Sequence, residues 1–155
     1  MAVLDIVKAG APVLKEIAAP IEKIDGELKR LLDNMAETMY AADGIGLAAP
    51  QVGKSIRAVV IDIGDGILEL INPRIIFKEG AVVDSEGCLS CPNLYGEVER
   101  AETVKIVYRD RRNKQKHLTA KGLLARCIQH EIDHLDGVLF IDIAQSIRLE
   151  EAKKG

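Results

Sequence analysis

The segment CIQHEIDHLDG, residues 127–137, determines the architecture because it combines the periodicity of a buried helix with metal-binding side chains. Cys127, His130 and His134 are spaced three and four residues apart, so they share one face of a helix. Glu131 is rotated about 100° from His130 around the helix axis. An H-E-x-x-H pattern on a helix offers two imidazole nitrogens to one ion and places a carboxylate beside them as a general base. Taken alone, the segment is equally compatible with two ordinary histidines on an amphipathic helix.

The composition predicts a single globular domain over residues 1–155. Hydrophobic residues make up 48% and charged residues 29% of the chain, which argues against disorder. A formal net charge of −3 gives no electrostatic reason to expect broad binding to nucleic acid or to an anionic membrane, so neither DNA nor a membrane is expected as partner. No apolar run approaches the roughly 18 residues that span a bilayer. The N-terminal residues lack the pattern of a signal peptide, so we expect a cytoplasmic location.

Two helices are predicted on either side of a β-rich middle region. The first follows Asp25, a suitable N-cap, and carries a stripe of leucines and methionines at helical spacing. The second is predicted from Thr119, as its cap, to Asp136, with Gly137 as its stop. A short third helix is predicted within residues 146–154.

The middle of the chain consists of short segments rich in valine and isoleucine, punctuated by turn-forming residues. They predict strands at 55–63, 67–73, 79–87, 94–100 and 103–110. The positive side chains of the hairpin tip at 111–114 favour a solvated loop over an RNA-binding loop, because charged hairpins are commonly just solvated. The order of elements predicts an α+β fold, with mostly antiparallel β-sheets packed around a central metal-binding helix.

Two imidazoles leave a metal site incomplete, so a further ligand must come from elsewhere in the chain. The candidates are Cys88 and Cys91 in EGCLSCP, together with Cys127 and His117. Cys127 is favoured as a small buried hydrophobic residue, whereas His117 lies in the charged hairpin. A closed zinc site of Cys88, Cys91 and both histidines is a rival. Its interval from Cys91 to the first histidine is far longer than zinc fingers use.

A glycine-rich segment, GIGLAAPQVG at residues 44–53, follows the first helix. It lacks the G-K-[ST] of a phosphate loop. Its small residues allow the backbone to lie against a neighbouring element or an extended ligand. Gln51 supplies an amide donor of the kind found in oxyanion holes. A tight turn would explain this segment equally well on its own.

Together, GIGLAAPQ, EGCLS and HEIDH resemble, in order and spacing, the three signature motifs of the peptide deformylases. The resemblance extends to IVKAGAPVLK near the N-terminus and INP before the middle motif. It implies a hydrolase that removes the N-formyl group from the formyl-methionine of newly synthesised polypeptides and releases formate. It also implies one divalent metal held by Cys88, His130 and His134, natively Fe(II), with Zn(II), Ni(II) or Co(II) in purified protein.

The same resemblance implies roles for the residues around the metal. Glu131 would act as general base and then as acid, while the Gln51 side chain and the Leu89 backbone N–H would stabilise the oxyanion. The peptide would bind as an added strand along Gly46 and Gly87. The pocket for the methionine side chain is predicted to be lined by Ile45, Leu123 and Cys127.

Some features depart from the family pattern or leave alternatives open. Cys91 stands where many relatives have an aliphatic residue, and Tyr95 stands where many carry a basic residue near the peptide. The resemblance implies N-formyl-methionyl nascent peptides as partners and the ribosome as a further one, although the tail ending at Gly155 is shorter than in some members. An H-E-x-x-H metallopeptidase and a non-catalytic zinc-stabilised binding module are the alternative function classes.

Overall fold

A computed structural model describes residues 2–150 of the chain. In that range the helices are α1 Gly26–Ala41, α2 Gly122–Leu135 and the short α3 Phe140–Ile143. The strands are β1 Gly46–Ala48, β2 Ala58–Ile61, β3 Leu68–Glu79, β4 Val82–Cys88, β5 Cys91–Arg100, β6 Thr103–Arg109, β7 Gln115–Lys121 and β8 Ser146–Leu149. Within this part of the chain, no helix is both long and apolar enough to cross a membrane.

The strands form two sheets, and every strand pairing in them is antiparallel. One sheet has the order β1-β2-β3-β6-β7 and the other has the order β4-β5-β8. Helix α2 packs against the five-stranded sheet with one side, and its charged residues meet the three-stranded sheet on the other. The predicted α+β fold around a central metal-binding helix is confirmed.

Helix α2 is buried over most of its circumference, with ten of its 14 residues inaccessible to solvent. Its apolar residues Ile128, Ile132 and Leu135 belong to the core cluster shared with the five-stranded sheet. Burying each such side chain contributes about 1.5–3 kcal/mol. Gly137 ends the helix as predicted: its φ is 76°. A Cβ there would lie 2.5 Å from the Lys15 carbonyl oxygen, so a glycine is required on both counts.

The first helix is also confirmed. Asp25 is its N-cap, and the carboxylate accepts a hydrogen bond from the Leu28 backbone N–H at 2.9 Å. The buried side of α1 includes Leu28, Leu32, Met35 and Met39, which pack on β1, β2 and the start of β3. The leucine and methionine stripe is therefore core packing.

Two predictions about helices are wrong, one about where α2 begins and one about a short helix near the C-terminus. Thr119 is not the cap of α2, because it lies in β7, which runs directly to the N-cap Lys121. Residues Ser146–Leu149 form strand β8 instead of a helix, and residues 151–154 of the predicted helix lie outside the described range. The exposed edge of β5 offers backbone partners to this segment, with Gly96 opposite Ile147, and this tertiary pairing overrides local helix propensity.

The five predicted strand regions are found, with altered bounds, and two strands besides β8 were given no predicted bounds. The β3 strand continues through Asn72 and Pro73 to Glu79, past the predicted end at residue 73. Asn72 has a φ of 50°, and the pairing with β6 shifts register there. Strand β1 has three residues and is too short to show a regular alternation of apolar and polar residues. Strand β7 follows the predicted hairpin tip, but its bounds were not predicted.

Candidate metal centre

Three potential metal ligands converge where the end of β4 meets α2. Donor atoms of Cys88, His130 and His134 all lie within 4.8 Å of one another. The Cys88 Sγ and His134 Nε2 atoms are 3.3 Å apart. Two such ligands bound to one tetrahedral ion are separated by about 3.6 Å, given metal–sulfur and metal–nitrogen bonds of about 2.3 and 2.1 Å. One sulfur and two imidazole donors therefore fit a divalent cation of the Zn(II) or Fe(II) type.

The orientation of His130 is fixed by Glu86. The His130 Nδ1 atom lies 2.8 Å from Glu86 Oε1, which leaves Nε2 for the metal cluster, as second-sphere carboxylates do in metalloproteins. Burial acts to raise the pKa of Glu86, but hydrogen bonds from Arg100 and His130 outweigh it and hold the pKa at about 2. Burial acts to lower the pKa of His130, but the same hydrogen bond and the Glu131 charge raise it above its usual value.

Glu86 is the centre of a buried charge network that joins three elements. Arg100 on β5 donates to both carboxylate oxygens of Glu86 at 2.8 and 2.9 Å. Arg126 on α2 donates to Glu86 Oε2 at 2.6 Å. Arg100 also pairs with Asp133 of α2. Buried charges of both signs are thereby paired, as the low dielectric of the interior requires.

Glu86, Arg100 and Arg126 were not predicted from the sequence, although two of them have a recognisable sequence pattern. Glu86 stands two residues before Cys88, and alternate residues of a strand point to the same face. Arg126 stands four residues before His130, on the same side of the helix. Arg100 reaches the network only through the pairing of β4 with β5, which no local pattern encodes.

His134 is held as a neutral imidazole. Burial, followed by the charges of His130 and Arg100, lowers the pKa of His134 to about 3. A neutral imidazole is the form that binds metal ions, so the environment keeps this ligand ready at neutral pH.

Glu131 is buried beside the metal ligands and close to the first motif. Burial raises the pKa of its carboxyl group to about 7. Its Oε1 atom is buried and has no hydrogen-bond partner within residues 2–150. A Cβ on Gly46 would lie 2.5 Å from Glu131 Oε2 and 2.9 Å from Cys127 Sγ. Strand β1 can therefore lie against this carboxylate only because residue 46 is glycine.

Gln51 links the first motif to the middle motif. Its side-chain oxygen accepts the Ala48 backbone N–H at 3.0 Å, and its amide nitrogen donates to Ser90 Oγ at 3.1 Å. The same nitrogen lies 3.5 Å from Cys88 Sγ. Leu89 follows Cys88 in the turn between β4 and β5, so both predicted oxyanion donors adjoin the metal cluster.

A cleft of about 490 Å³ opens over the metal cluster. The predicted substrate-binding residues all line this cleft: Ile45, Gly46, Gly87, Leu123 and Cys127. Leu123 is 54% exposed and Ile45 is 43% exposed, so apolar side chains stand at the rim. Tyr95 also lines the cleft, and its ring lies against Gly87.

Two of the other candidate ligands do not belong to the group of three converging donors. His117 is exposed on β7 of the other sheet. Cys91 is buried in an apolar cluster with Leu14 and Phe140. Cys88 and Cys91 are partners across the β4–β5 turn, yet among the described residues only Cys88 and the two histidines bring three candidate donors together. The closed site with two cysteines is not what the structure shows.

The three-donor cluster fits a cation that polarises water, and the buried carboxylate beside it can take a proton from that water. These two features place the protein among the metal-dependent hydrolases. The chain belongs to the polypeptide deformylase family, which it matches over residues 3–150. Its activity is peptide deformylation, the hydrolytic removal of the N-formyl group with release of formate. Membership of this family identifies the deformylase among the three function classes that the sequence left open.

Individual relatives agree along nearly the full length. The chain is 55% identical to the peptide deformylase of Pelotomaculum thermopropionicum, covering 96% of each protein. It is 54% identical to that of Desulfitobacterium hafniense, over 94% of this chain and 97% of the relative. The crystal structure of peptide deformylase from Thermotoga maritima has a TM-score of 0.91 and 43% identity, covering 93% of this chain and 99% of that one.

Proposed function

We propose that Cys88, His130 and His134 hold one divalent cation and that the chain, as a single catalytic domain over residues 1–155, deformylates N-formyl-methionyl nascent polypeptides in the cytoplasm. The observation that carries this proposal is the convergence of the three donors beside a buried carboxylate with an unpartnered oxygen. A bound cation supplies Lewis acidity and lowers the pKa of water at the site.

Glu131 is proposed as the group that moves the proton. A general base is most effective when its pKa lies near the working pH, and burial places the pKa of Glu131 at about 7. Glu131 takes a proton from the attacking water and then delivers it to the departing amine nitrogen. Its Oε1 atom is free to accept that proton, because it has no partner in the described protein.

Two donors are proposed to stabilise the negative charge that develops on the formyl oxygen. They are the side-chain amide of Gln51 and the backbone N–H of Leu89. The amide is preorganised, since Gln51 is 1% exposed and hydrogen-bonded at both ends, to Ala48 and Ser90. Donors that are already fixed need no reorganisation in the transition state.

The substrate is proposed to lie as an extended strand along Gly46 and Gly87. Main-chain pairing of this kind tolerates varied side chains beyond the first residue. The methionine side chain fits the apolar part of the cleft at Ile45, Leu123 and Cys127. Burial, with the charges of Glu131 and Glu86, raises the pKa of Cys127 well above its usual value, so its thiol is a neutral lining group.

The native metal is proposed to be Fe(II), with Zn(II), Ni(II) or Co(II) as substitutes in purified protein. One thiolate and two imidazoles bind several of these ions, so availability selects among them. Anaerobic purification followed by elemental analysis and an assay of formyl-Met peptide hydrolysis tests this assignment. Equal activity and metal content after aerobic purification would contradict Fe(II) as the native metal.

The decisive experiment on the mechanism is Glu131→Gln, which preserves shape while removing the base. We expect kcat/KM for formate release from a formyl-Met peptide to fall by about 10²–10⁴-fold. The fold by circular dichroism and the metal content should be retained, since Glu131 is not a ligand in this proposal. Glu99→Gln, an exposed change on β5, is the matched control and should leave activity intact. Full activity in Glu131→Gln would show that another group moves the proton.

A further inference from the structure

One part of the five-stranded sheet has a solvent-facing side that no helix within residues 2–150 covers. Helix α1 packs on β1, β2 and the start of β3, and α2 packs on the opposite side of the sheet. The outer side of β6, β7 and the end of β3 is left exposed. We name this surface the basic face and define it by Arg74, Phe77, Lys105, His117, Thr119 and Lys121.

The strand register brings these side chains together in rows. Phe77 is opposite Lys105, and Lys105 is opposite Thr119. Lys121 lies opposite Thr103, two residues further along the same side of the sheet. Neighbouring strands are about 4.8 Å apart and alternate residues about 7 Å apart. The cations of the basic face therefore form a regular array.

Glu79 lies opposite Thr103 on the same side of the sheet, but it forms no ion pair with the cations of the basic face among the described residues. Arg74, Lys105 and Lys121 take part in no ion pair within residues 2–150. Arg112 and Lys114, at the tip of the β6–β7 hairpin, are exposed and equally unpaired. The net charge of −3 thus hides a local concentration of cations, which steers a polyanion to this side of the molecule.

The basic face also offers an aromatic ring. Phe77 is 44% exposed, and the Lys105 ammonium lies 5.6 Å from its ring centroid. Surfaces that bind single-stranded nucleic acid combine cations that follow the backbone with aromatic rings on which bases stack. Exposed Thr119 and His117 supply further hydrogen-bonding groups between the cations.

We propose that the basic face is a docking surface for single-stranded RNA. With Phe77 and Ile76 as the exposed large apolar residues of its strands, the basic face lacks the broad apolar surface that holds a protein on an anionic membrane. The proposed substrate, a nascent polypeptide, emerges from an RNA-rich machine, so the choice of RNA rests on the proposed function. Because the five-stranded sheet lies between the basic face and α2, an RNA docked on this face leaves the cleft over the metal cluster open to the peptide.

Fluorescence anisotropy with a fluorescein-labelled, mixed-sequence RNA of about 12 nucleotides tests the proposal. The face variant is Arg74→Gln/Lys105→Gln/Lys121→Gln. The matched control, Lys23→Gln/Lys29→Gln/Lys54→Gln, removes the same charge from exposed positions on and around α1. At an ionic strength of about 100 mM, charges beyond about 10 Å are screened and distant lysines contribute little.

We expect the face variant to bind the RNA at least about tenfold more weakly and to lower the slope of log K against log salt by about 2, because three phosphate contacts are lost. The control triple should leave affinity and slope unchanged. Phe77→Ala should lower affinity by roughly 5- to 100-fold through lost stacking, without changing the slope. This second signature separates base stacking from charge attraction.

Equal losses in the face variant and the control, or no RNA binding by the wild-type protein, would overturn the proposal. Vesicles containing phosphatidylglycerol are the membrane arm, and binding to them in place of RNA would overturn it too. Every variant should deformylate a short formyl-Met peptide at the wild-type rate, since none of the altered residues touches the cleft. Loss of RNA binding with intact deformylation in the face variant assigns RNA binding to the basic face. A wild-type protein that does not deformylate the peptide would contradict the proposed function alone.

Discussion

Helix α2 is held by two sheets through different physics. Towards the five-stranded sheet it presents Ile128, Ile132 and Leu135, which are buried among apolar strand residues. Contacts of this kind are non-directional and scale with the area removed from water. They stabilise the fold without specifying any one interatomic distance closely.

Towards the three-stranded sheet, α2 is tied by charges instead. Arg126, His130 and Asp133 connect through Glu86 and Arg100 to β4 and β5. Hydrogen bonds between buried ionised groups are short and directional, so they set the distance from the helix to the strand that carries the cysteine. The apolar side of α2 thus supplies stability alone, whereas the charged side supplies stability and also sets the geometry of the ligands.

The largest expected effect comes from removing the centre of the charged side. Glu86→Gln leaves Arg100 and Arg126 without a full counter-charge, and breaking such a buried pair costs about 3–5 kcal/mol of unfolding free energy. It also frees the His130 ring, so metal affinity should fall by about 10- to 100-fold. Urea unfolding and competition with a chelator measure the two quantities.

The matched change on the apolar side is Ile128→Ala. It should cost about 2–5 kcal/mol of unfolding free energy through a cavity, yet leave the metal affinity of the folded protein unchanged. If Ile128→Ala weakened metal binding as much as Glu86→Gln, the division of labour between the two sides would be wrong.

The pH dependence of stability should reveal the same carboxylate. Folding lowers the pKa of Glu86 from 4.5 to about 2, so the stabilisation is fully present above pH 4.5 and is lost as the pH falls through about 2. At about 1.4 kcal/mol per pKa unit, the loss is about 3 kcal/mol. Unfolding of chelator-treated protein at several pH values measures it.

The Glu86→Gln variant serves as the reference in that titration. The contribution of His134 to the free energy of unfolding is also lost on acidification, because its pKa of about 3 in the folded protein lies below its unfolded value of 6.5. That contribution is common to both proteins. The difference between wild type and variant should therefore shrink between pH 4.5 and 2, and a constant difference would refute the role of Glu86.

The smallest effect is expected at Gln129, which lies between the apolar and the charged sides of α2. Gln129 hydrogen-bonds the backbone N–H and C=O of Ala101, between β5 and β6, at 3.0 and 2.9 Å. Gln129→Met keeps the volume but leaves these groups unsatisfied, at a cost of roughly 1–3 kcal/mol in unfolding free energy. Metal affinity should not change. Gln115→Met, at an exposed position, is the control, and an equal loss there would exclude the proposed bonds as the cause.

Much of the candidate site could be predicted from local patterns. His130, Glu131 and His134 follow from helical spacing, and burial on both sides of α2 follows from its two stripes. Cys88, by contrast, remained one of several candidate ligands until the family resemblance was considered. Its selection over Cys91 depends on the turn between β4 and β5: both cysteines adjoin one apolar cluster, but only the Cys88 thiol converges with the two imidazoles.

The errors show where local reasoning fails. The propensity of SIRL allows a helix, but the edge of β5 makes it β8. Thr119 has the chemistry of a cap, but pairing with Lys105 keeps it in a strand. In both cases hydrogen bonds to a distant strand outweigh a preference worth a fraction of a kcal/mol per residue.

The sequence by itself determined the chemistry: two histidines one helical turn apart with a glutamate beside the first, a cysteine in a second motif and a glutamine in a third. Those assignments follow from helical periodicity and from motif resemblance. Only the tertiary structure decided how these groups are oriented, through Glu86 and Arg100, and which strands cover α2. The reason is physical: the partners of a buried charge are chosen by strand register and sheet packing, which bring together residues that no short window of sequence contains.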